Sequence, residues 1–391
     1  MLKLGGQIEE ARHFAPDAGR LLMRLSDHPE RPKALRSQEA FLVRTKNAPP
    51  PGFQAYLAFD VEALRELPSD APCALLPHDF DYLGRGDIVR LEPGRREIRV
   101  LFRHGSRHNS FLTTEQCNHY CLMCSQPPKR VDDAWLADEI ADAIPLIDPE
   151  TPSIGLTGGE PTLLGDRFLR ILRRAKSYLP RTAVHVLSNG RRFADLAFAR
   201  EYAEIDHLDL MVGIPIYSDL STVHDYVVQA DGAFDGTIRG ILNLKRLKQK
   251  VEIRVVLHKQ TVGRLPQLAE FITRNLTFVD HVALMGLEIT GFTRANLPQL
   301  WVDPFDYQRE LYAAATTLLE SRMNVSIYNH QLCLLDRRLW PLARKSISDW
   351  KNEYMPECTD CSKMNDCGGF FASAKLRYSD HIRPFAEQRV S

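Results

Sequence analysis

Short runs in which hydrophobic and polar residues alternate dominate the first quarter of the chain. They lie at 54–59, 86–91 and 96–102, and turn residues such as Pro93 and Gly94 separate them. Alternation with a period of two indicates strands, and the short turns between the runs indicate hairpins. We therefore expect residues 1–108 to form a small β-rich module, to which the sequence assigns no chemistry.

From residue 109 the pattern changes to apolar runs separated by segments with helical periodicity. Candidate strands lie near 109–113, 153–157, 183–188, 207–214, 251–257 and 281–289. Six strands that are each followed by a helix indicate an α/β fold with a parallel sheet and right-handed crossovers. Functional sites in such sheets lie at the C-terminal ends of the strands. We expect this architecture over residues 109–323.

Two helices in this region follow from the sequence. One is predicted by the helical spacing of Phe234, Ile238, Ile241 and Leu242, which form one apolar face. Asp303 and Pro304 predict the N-cap and first residue of another, which continues to about 322. The remaining residues, 324–391, are rich in Cys, Asp and Asn, and predict a loop-dominated cap that needs a metal for stability.

Length and charge limit the classes of function. The 391 residues suffice for one large domain with appendages, or for two to three domains. Lys and Arg together number 50, as do Asp and Glu, so the chain has no global attraction to nucleic acid or membranes. The first ten residues lack the apolar stretch of a signal peptide, and no run approaches the roughly 18 apolar residues of a membrane span. We therefore expect a cytoplasmic protein whose partners include neither nucleic acid nor membranes.

Seven of the eight cysteines fall into two groups. The first group is Cys117, Cys121 and Cys124, and the second is Cys333, Cys358, Cys361 and Cys367. Clustered cysteines in a long intracellular chain favour metal binding over disulfides. Cys73 stands alone, and we expect it to be a small buried hydrophobic residue.

The first group has the spacing C-x3-C-x2-C and directly follows a candidate strand. Three thiolates can hold an iron–sulfur cluster and leave one iron open to a small chelating molecule. The alternative is a zinc site completed by His119 or by a distant residue, although zinc motifs usually pair two C-x2-C units. We expect His119 to pack or to form hydrogen bonds rather than to bind a metal.

Two further motifs lie at the ends of the next strands. Gly158-Gly159-Glu160-Pro161 follows 153–157, and Ser188-Asn189-Gly190 stands at the end of 183–188. Glycine lets a backbone approach a ligand closely, and a carboxylate accepts hydrogen bonds from an ammonium group. Each motif taken alone is also an ordinary turn.

The second cysteine group can ligate a whole iron–sulfur cluster or one structural zinc ion. Its spacing, C-x2-C-x5-C with a remote partner, is not that of a zinc ribbon.

Together these motifs resemble the radical S-adenosylmethionine (SAM) superfamily over about 109–322. More narrowly, the chain resembles the radical SAM maturase of the His-Xaa-Ser system, the member usually encoded as a pair with a sister enzyme. The segments that carry this narrower resemblance are 114–129, 156–162, 285–292 and 358–361.

The resemblance implies a partial (β/α)6 barrel with an N-terminal β-rich module and a C-terminal auxiliary-cluster cap. It implies that the first cysteine group holds a [4Fe–4S] cluster, which the amino and carboxylate groups of SAM chelate. The second group would hold an auxiliary [4Fe–4S] cluster. Residues implied to bind SAM are Met123, Gly158, Gly159, Glu160, Pro161, Ser188, Asn189 and Ile216.

Among these, Glu160 is implied to contact the SAM amino group, Ser188 and Asn189 its carboxylate or ribose, and Met123 its adenine. The segments 213–216 and 286–288 end later strands and are further candidates for the same pocket. The sequence suggests no general acid or base. His258, Glu288 and Tyr217 lie near strand ends, where each either faces the cavity or is structural.

The resemblance further implies reductive cleavage of SAM to a 5′-deoxyadenosyl radical, which abstracts hydrogen from a ribosomally made precursor peptide bearing His-Xaa-Ser motifs. We expect a crosslink or another oxidative change in that peptide. Partners would be the peptide, a sister maturase and an electron donor such as flavodoxin or ferredoxin. The N-terminal module would dock a partner or only cover the barrel. Two other functions stay open: a radical SAM enzyme acting on a small molecule or nucleoside, and a non-catalytic zinc-binding protein.

Overall fold

The computed structural model describes residues 2–44, 49–345 and 353–386. The chain separates into two compact units. The first comprises Met1–Phe111, Trp135–Ile154 and Arg170–Thr182, and the second comprises Leu112–Ala134, Gly155–Leu169 and Ala183–Ser391. In the described part of the chain, no helix is both long and apolar enough to cross a membrane.

The N-terminal sheet confirms the predicted β-rich module. Its strands are β1 (Gly5–Gln7), β2 (Glu10–Arg12), β3 (Leu21–Ser26), β4 (Glu39–Val43), β5 (Ala55–Ala58), β6 (Cys73–Leu75), β7 (Ile88–Glu92) and β8 (Glu97–Phe102). Their order in the sheet is β1-β8-β7-β3-β4-β5-β6-β2. The predicted runs correspond to β5, β7 and β8, and β7 and β8 form an antiparallel hairpin. The expectation of hairpins alone is too simple, because β3 to β6 pair in parallel.

Both faces of this sheet are apolar. Leu42, Leu57 and Ala74 lie in one buried cluster, whereas Phe41 and Tyr56 lie in another. Cys73 is buried in the second cluster, which confirms that it packs as a small hydrophobic residue. Residues 54–59 were predicted to alternate, but β5 is apolar throughout and all four of its residues are buried, because both faces of the sheet are covered.

The second sheet is a curled, mostly parallel half-barrel. Its strands, which lie side by side in chain order, are β9 (Asn109–Leu112), β10 (Ser153–Thr157), β11 (Ala183–Leu187), β12 (Leu210–Pro215), β13 (Lys250–Leu257), β14 (His281–Gly286), β15 (Val325–Tyr328) and β16 (Ala343–Arg344). The six predicted strands correspond to β9–β14. The sequence analysis does not predict β15 and β16, which continue the parallel sheet into a segment expected to be dominated by loops.

The helices are α1 (Lys33–Arg36), α2 (Val61–Arg65), α3 (Trp135–Ala143), α4 (Asp166–Tyr178), α5 (Leu196–Ala203), α6 (Ser221–Val228), α7 (Ala233–Arg246), α8 (Leu265–Asn275), α9 (Phe292–Ala295), α10 (Leu297–Leu300) and α11 (Gln308–Glu320). Helix α7 is confirmed, and Ile241 is fully buried. Leu242, however, is 45% exposed, because the buried face runs through Ala233, Thr237, Gly240, Ile241 and Leu244.

The predicted start of the helix near 303 is wrong. Helix α11 begins at Gln308, after Tyr307. The Asp303 carboxylate instead accepts a hydrogen bond from the Phe305 N–H group at 2.9 Å and caps a turn. Aspartate commonly bonds the backbone two residues further on, so an Asp-Pro pair signals a turn as readily as a helix start.

Candidate cluster and cofactor site

The first cysteine group lies in a long loop that follows β9, and hydrogen bonds close the base of this loop. The backbone N–H and the hydroxyl of Thr113 both donate to the Thr157 carbonyl, at 2.8 and 3.0 Å. The Asp133 carboxylate accepts from the Thr114 hydroxyl at 2.9 Å and from the Glu115 N–H at 2.5 Å. The two ends of the loop are therefore tied together, and its first residues are tied to the end of β10.

Backbone contacts also fix the cysteines themselves. The N–H groups of Tyr120 and Leu122 donate to the carbonyls of Val228 and Val227 at the end of α6. The Cys124 N–H donates to the Cys121 carbonyl at 3.0 Å, which closes a tight turn between the second and third cysteine. The positions of the three cysteines are thus determined by the protein chain.

The three thiols form one electrostatic group. None is in a disulfide, and the Cys121 thiol interacts with those of Cys124 and Cys117. Burial raises the pKa of Cys117 to about 11 and raises the pKa values of Cys121 and Cys124. Buried thiols that share a site become thiolates when a cation compensates their charge, which is what iron provides.

The three thiols also have the chemistry that the implied cluster needs. Cysteine thiolates hold iron–sulfur clusters, and a set of three leaves one iron open to another ligand. Cys117, Cys121 and Cys124 form such a set on one short loop. The donor set therefore fits the iron–sulfur cluster implied by the sequence.

Gly158 and Gly159 bring the end of β10 against the cysteine loop. A Cβ atom on Gly158 would lie 2.4 Å from the Thr114 carbonyl oxygen, and one on Gly159 would lie 2.0 Å from that of Gln116. Gly158 also has a φ of +145°, a value that favours glycine. These glycines permit a close approach to the cysteine loop, and their predicted contact with a ligand stays a prediction.

Glu160 is a buried hub of hydrogen bonds. Its carboxylate accepts from the Thr162 hydroxyl and N–H at 2.6 and 3.0 Å, from the Ser188 hydroxyl at 2.8 Å and from the Asn189 N–H at 2.6 Å. Burial raises the pKa of this carboxyl, and the four donors oppose that shift. Glu160 therefore joins the loop after β10 to the loop after β11, and Pro161 is buried beside it.

Asn189 connects this hub to the first cysteine group. Its side-chain amide donates to the Asn118 side-chain oxygen at 2.6 Å. Next to it, the guanidinium of Arg191 lies 3.5 Å from the His119 Nε2 atom. His119 is buried, and burial lowers its pKa to about 3. That it packs or forms hydrogen bonds rather than binding a metal stays a prediction. The sequence analysis missed Asn118 and Arg191, although their positions directly after Cys117 and after the Ser188-Asn189-Gly190 motif were a signal.

The segment after β14 holds the third cysteine from the other side. The Phe292 N–H donates to the Cys124 carbonyl at 2.9 Å, and the Thr293 hydroxyl donates to the Met123 carbonyl at 3.1 Å. Gly291 has a φ of +52°, and a Cβ atom there would lie 2.2 Å from the Cys124 carbonyl oxygen. Only glycine therefore permits this contact.

The remaining candidates differ in their surroundings. Met123 and Tyr217 belong to one apolar cluster, and Cys121 packs against it. Burial raises the pKa of the Tyr217 phenol, and the thiols of Cys121 and Cys124 raise it further. Ile216 is fully buried, as is His258, whose ring centroid lies 6.1 Å from that of Tyr217. His258 therefore packs against Tyr217, and whether either side chain faces the cavity stays a prediction.

A charged group on β11, β13 and β14 was not predicted. The Glu252 carboxylate lies 2.7 Å from the His281 Nδ1 atom, 3.5 Å from the His185 Nε2 atom and 3.7 Å from the Arg254 Nε atom. Burial acts to raise the pKa of Glu252, but these partners lower it. Gly213 makes room for this group, because a Cβ atom there would lie 3.0 Å from the Arg254 Cδ atom. The alternation in β13 already shows Glu252 and Arg254 on one face, but the partners His185 and His281 come from strands distant in sequence.

The second cysteine group also forms one electrostatic group. The Cys333 thiol interacts with those of Cys367 and Cys358, and the Cys358 thiol interacts with those of Cys367 and Cys361. Cys333 and Cys358 pack against a small apolar cluster, and burial raises both of their pKa values. Tight turns support the others, since the Cys361 N–H donates to the Cys358 carbonyl at 3.1 Å.

Among curated proteins, none matches this sequence significantly. Three solved structures show the degree of structural similarity. Streptococcus suis SuiB bound to S-adenosylmethionine is 17% identical, with a TM-score of 0.45 over 58% of this chain and 51% of that one. Native anSMEcpe with bound AdoMet is 17% identical, with a TM-score of 0.44 over 56% of this chain and 62% of that one. A radical SAM methyltransferase from Sphaerobacter thermophilus is 12% identical, with a TM-score of 0.43 over 62% and 72%.

The chain spans about half the length of the SuiB structure. Identities and TM-scores this low bear on neither substrate nor partner. The family comparison is more specific, because residues 111–272 match the radical SAM superfamily. This range begins in β9, contains the first cysteine group, Glu160 and Asn189, and ends in α8. The chain therefore carries a radical SAM superfamily domain, and this superfamily implies a [4Fe–4S] cluster and S-adenosylmethionine.

Proposed function

We propose that this protein is a radical SAM enzyme that crosslinks or oxidises a ribosomally made precursor peptide bearing His-Xaa-Ser motifs. One observation supports the assignment as a radical SAM enzyme. Three thiols that form no disulfide share a loop, and backbone hydrogen bonds join this loop to the Gly158–Glu160 turn at the end of β10. The peptide substrate is supported by the sequence resemblance of segments 114–129, 156–162, 285–292 and 358–361.

Cys117, Cys121 and Cys124 would hold the [4Fe–4S] cluster, with SAM on the open iron. When bound, the cluster and SAM supply an electron and the 5′-deoxyadenosyl radical. We assign Glu160 two tasks. Its four hydrogen bonds orient Ser188 and Asn189, and its charge attracts the SAM ammonium group. The other assigned SAM contacts are Met123 within the loop, Gly158, Gly159 and Pro161 at the end of β10, and Ile216 after β12.

Cys333, Cys358, Cys361 and Cys367 would hold an auxiliary [4Fe–4S] cluster. Their mutual electrostatic interactions and partly apolar surroundings support one shared group. Such a cluster would accept an electron from the substrate radical or stabilise the C-terminal segment. Cytoplasmic location, the sister maturase and a flavodoxin or ferredoxin donor remain part of the proposal. Strand addition to the N-terminal sheet would use its edge strands β1 and β2, which have only three residues each.

The test uses anaerobically purified protein, SAM, dithionite and a synthetic precursor peptide with His-Xaa-Ser motifs. We expect 5′-deoxyadenosine by chromatography, a peptide that has lost hydrogens by mass spectrometry, and roughly eight irons per chain. Ala at all three positions of the first cysteine group should abolish both products. Cys73→Ala, which removes a buried thiol from the other sheet, is the matched control.

The outcomes separate the alternatives. Active SAM cleavage with an unmodified peptide would favour a small-molecule or nucleoside substrate. A colourless protein with stoichiometric zinc would support the non-catalytic alternative.

A further inference from the structure

A pocket opens at the C-terminal ends of β13 and β14 and faces the segment that follows the last cysteine. The strand ends contribute Leu257 and Leu287, and the chain before α11 contributes Trp301 and Tyr307. Phe370 and Tyr378 line it from the C-terminal segment. All of these residues belong to the second compact unit.

This pocket lies between the two cysteine groups. Leu287 packs against the apolar cluster that contains Met123 and contacts Cys121. On the opposite side, Phe370 and Tyr378 belong to the cluster that packs around Cys333 and Cys358. The pocket walls are therefore connected to each cysteine group through a shared apolar cluster.

The walls favour a planar ring with a polar atom. Trp301, Tyr307, Phe370 and Tyr378 are aromatic, and rings prefer aromatic neighbours in offset or edge-to-face contact. The Ser373 hydroxyl also lines the pocket, and it is buried without a hydrogen-bond partner among the described residues. A hydroxyl both donates and accepts, so a ring nitrogen or ring hydroxyl would satisfy it.

A cation stands at the rim. The Arg377 guanidinium lies 3.7 Å from the centre of the Trp301 ring and is exposed. Within the described ranges, Arg377 forms no ion pair with an acidic side chain, whereas its neighbour Lys375 pairs with Glu353 at 2.7 Å. A guanidinium stacked on a ring keeps its N–H edges available, and these match a carboxylate in a two-point contact.

We propose that this pocket binds a planar ring side chain of the substrate, and that Arg377 pairs with a carboxylate next to that side chain. The inference rests on the proposed peptide substrate and specifies which peptide is preferred. It makes Arg377 and Ser373 determinants of specificity rather than catalytic residues.

The test measures fluorescence anisotropy on the cluster-loaded protein with SAM present. The probes are fluorescein-labelled peptides with one His-Gly-Ser motif, preceded by either Asp or Asn. We expect wild-type protein to bind the Asp peptide about fivefold more tightly, as a single partly exposed ion pair allows. Arg377→Gln should remove this preference, and Lys375→Gln, which removes an equal charge outside the pocket, should keep it.

Further variants keep the test decisive if Arg377→Gln folds poorly. Arg377→Lys should retain part of the preference, and Arg377→Glu should prefer a peptide with Lys in place of Asp. A peptide with Ala in place of His should bind at least about fivefold more weakly, because it has no ring to fill the pocket. An Asp preference that survives in Arg377→Gln, or equal binding of the Ala and His peptides, would overturn the pocket assignment alone. Absence of all peptide binding by a protein that cleaves SAM would overturn the peptide substrate as well.

Discussion

The two cysteine groups are built in different ways. The first is held by the rest of its domain, since the loops after β10 and β14 and the end of α6 all bond to its backbone. The second is held mostly by its own turns, such as the bond from the Cys367 N–H to the Lys363 carbonyl and the two-way bond between Glu353 and Phe370. The first set of thiols should therefore keep its place without metal, whereas the second should depend on what it binds.

Removal of single thiols should give the largest difference between the groups. Cys121→Ala should reduce 5′-deoxyadenosine formation at least about 100-fold, because an iron loses its anchor while the backbone bonds keep the loop folded. Cys358→Ala should leave SAM cleavage largely intact, yet expose the C-terminal segment to limited proteolysis. Chromatography of the nucleoside and mass spectrometry of the proteolytic fragments measure the two effects.

Iron content provides the control for this comparison. Each variant should lose about half of the roughly eight irons of the wild type, and Cys73→Ala should lose none. Equal loss of SAM cleavage in Cys121→Ala and Cys358→Ala would contradict the proposed division of roles.

A glycine substitution tests whether the first group is positioned by the protein. Gly291→Ala forces a Cβ atom to 2.2 Å from the Cys124 carbonyl oxygen at a φ of +52°. We expect a loss of about 2–4 kcal/mol in the free energy of unfolding, or displacement of Cys124 with loss of the first cluster. Thermal unfolding and iron analysis distinguish these results. Gly263→Ala, which meets no atom within 4 Å, is the matched control and should change neither quantity.

Much of this region could be predicted because its signals are local. Short apolar runs placed β9 to β14 correctly, since a buried parallel strand needs only its own residues to be recognised. By contrast, Glu160 bonds to Ser188 and Asn189, which lie 28 and 29 residues away, and such partners appear only after folding. The role of Gly291 was missed for the same reason, because its neighbour Cys124 is close only in three dimensions. The turns of the C-terminal segment could not be predicted individually, because three or four residues are too few to show a helical or strand periodicity.

Substitution of Glu160 should have an intermediate effect confined to the first site. Glu160→Gln replaces one of two accepting oxygens with a donor, which would face the donors now bonded to it. We expect a loss of about 1–3 kcal/mol in stability and weaker SAM binding, measured by thermal unfolding and by calorimetric titration. Glu139→Gln is the matched control. It breaks a buried ion pair between Glu139 and Arg90, both of which lie in the first compact unit, whereas Glu160 lies in the second. It should also destabilise the protein, but SAM affinity should not change; a drop in that affinity would argue against a local role for Glu160.

The smallest expected effect is a pH dependence that originates behind the first cysteine group. Burial lowers the pKa of His258 to about 3, so the folded protein keeps this ring neutral while the unfolded chain protonates it near its ordinary value of 6.5. Between these values the unfolded state binds more protons, and stability therefore falls as the pH decreases below 6.5. By pH 5.5 this ring should cost about 1 kcal/mol of unfolding free energy relative to pH 7.5. Urea denaturation at the two pH values should show a smaller difference for His258→Asn than for wild type. The exposed His13→Asn control should match wild type. An unchanged difference in His258→Asn would show that the acid sensitivity arises elsewhere, for example at His119 or His224.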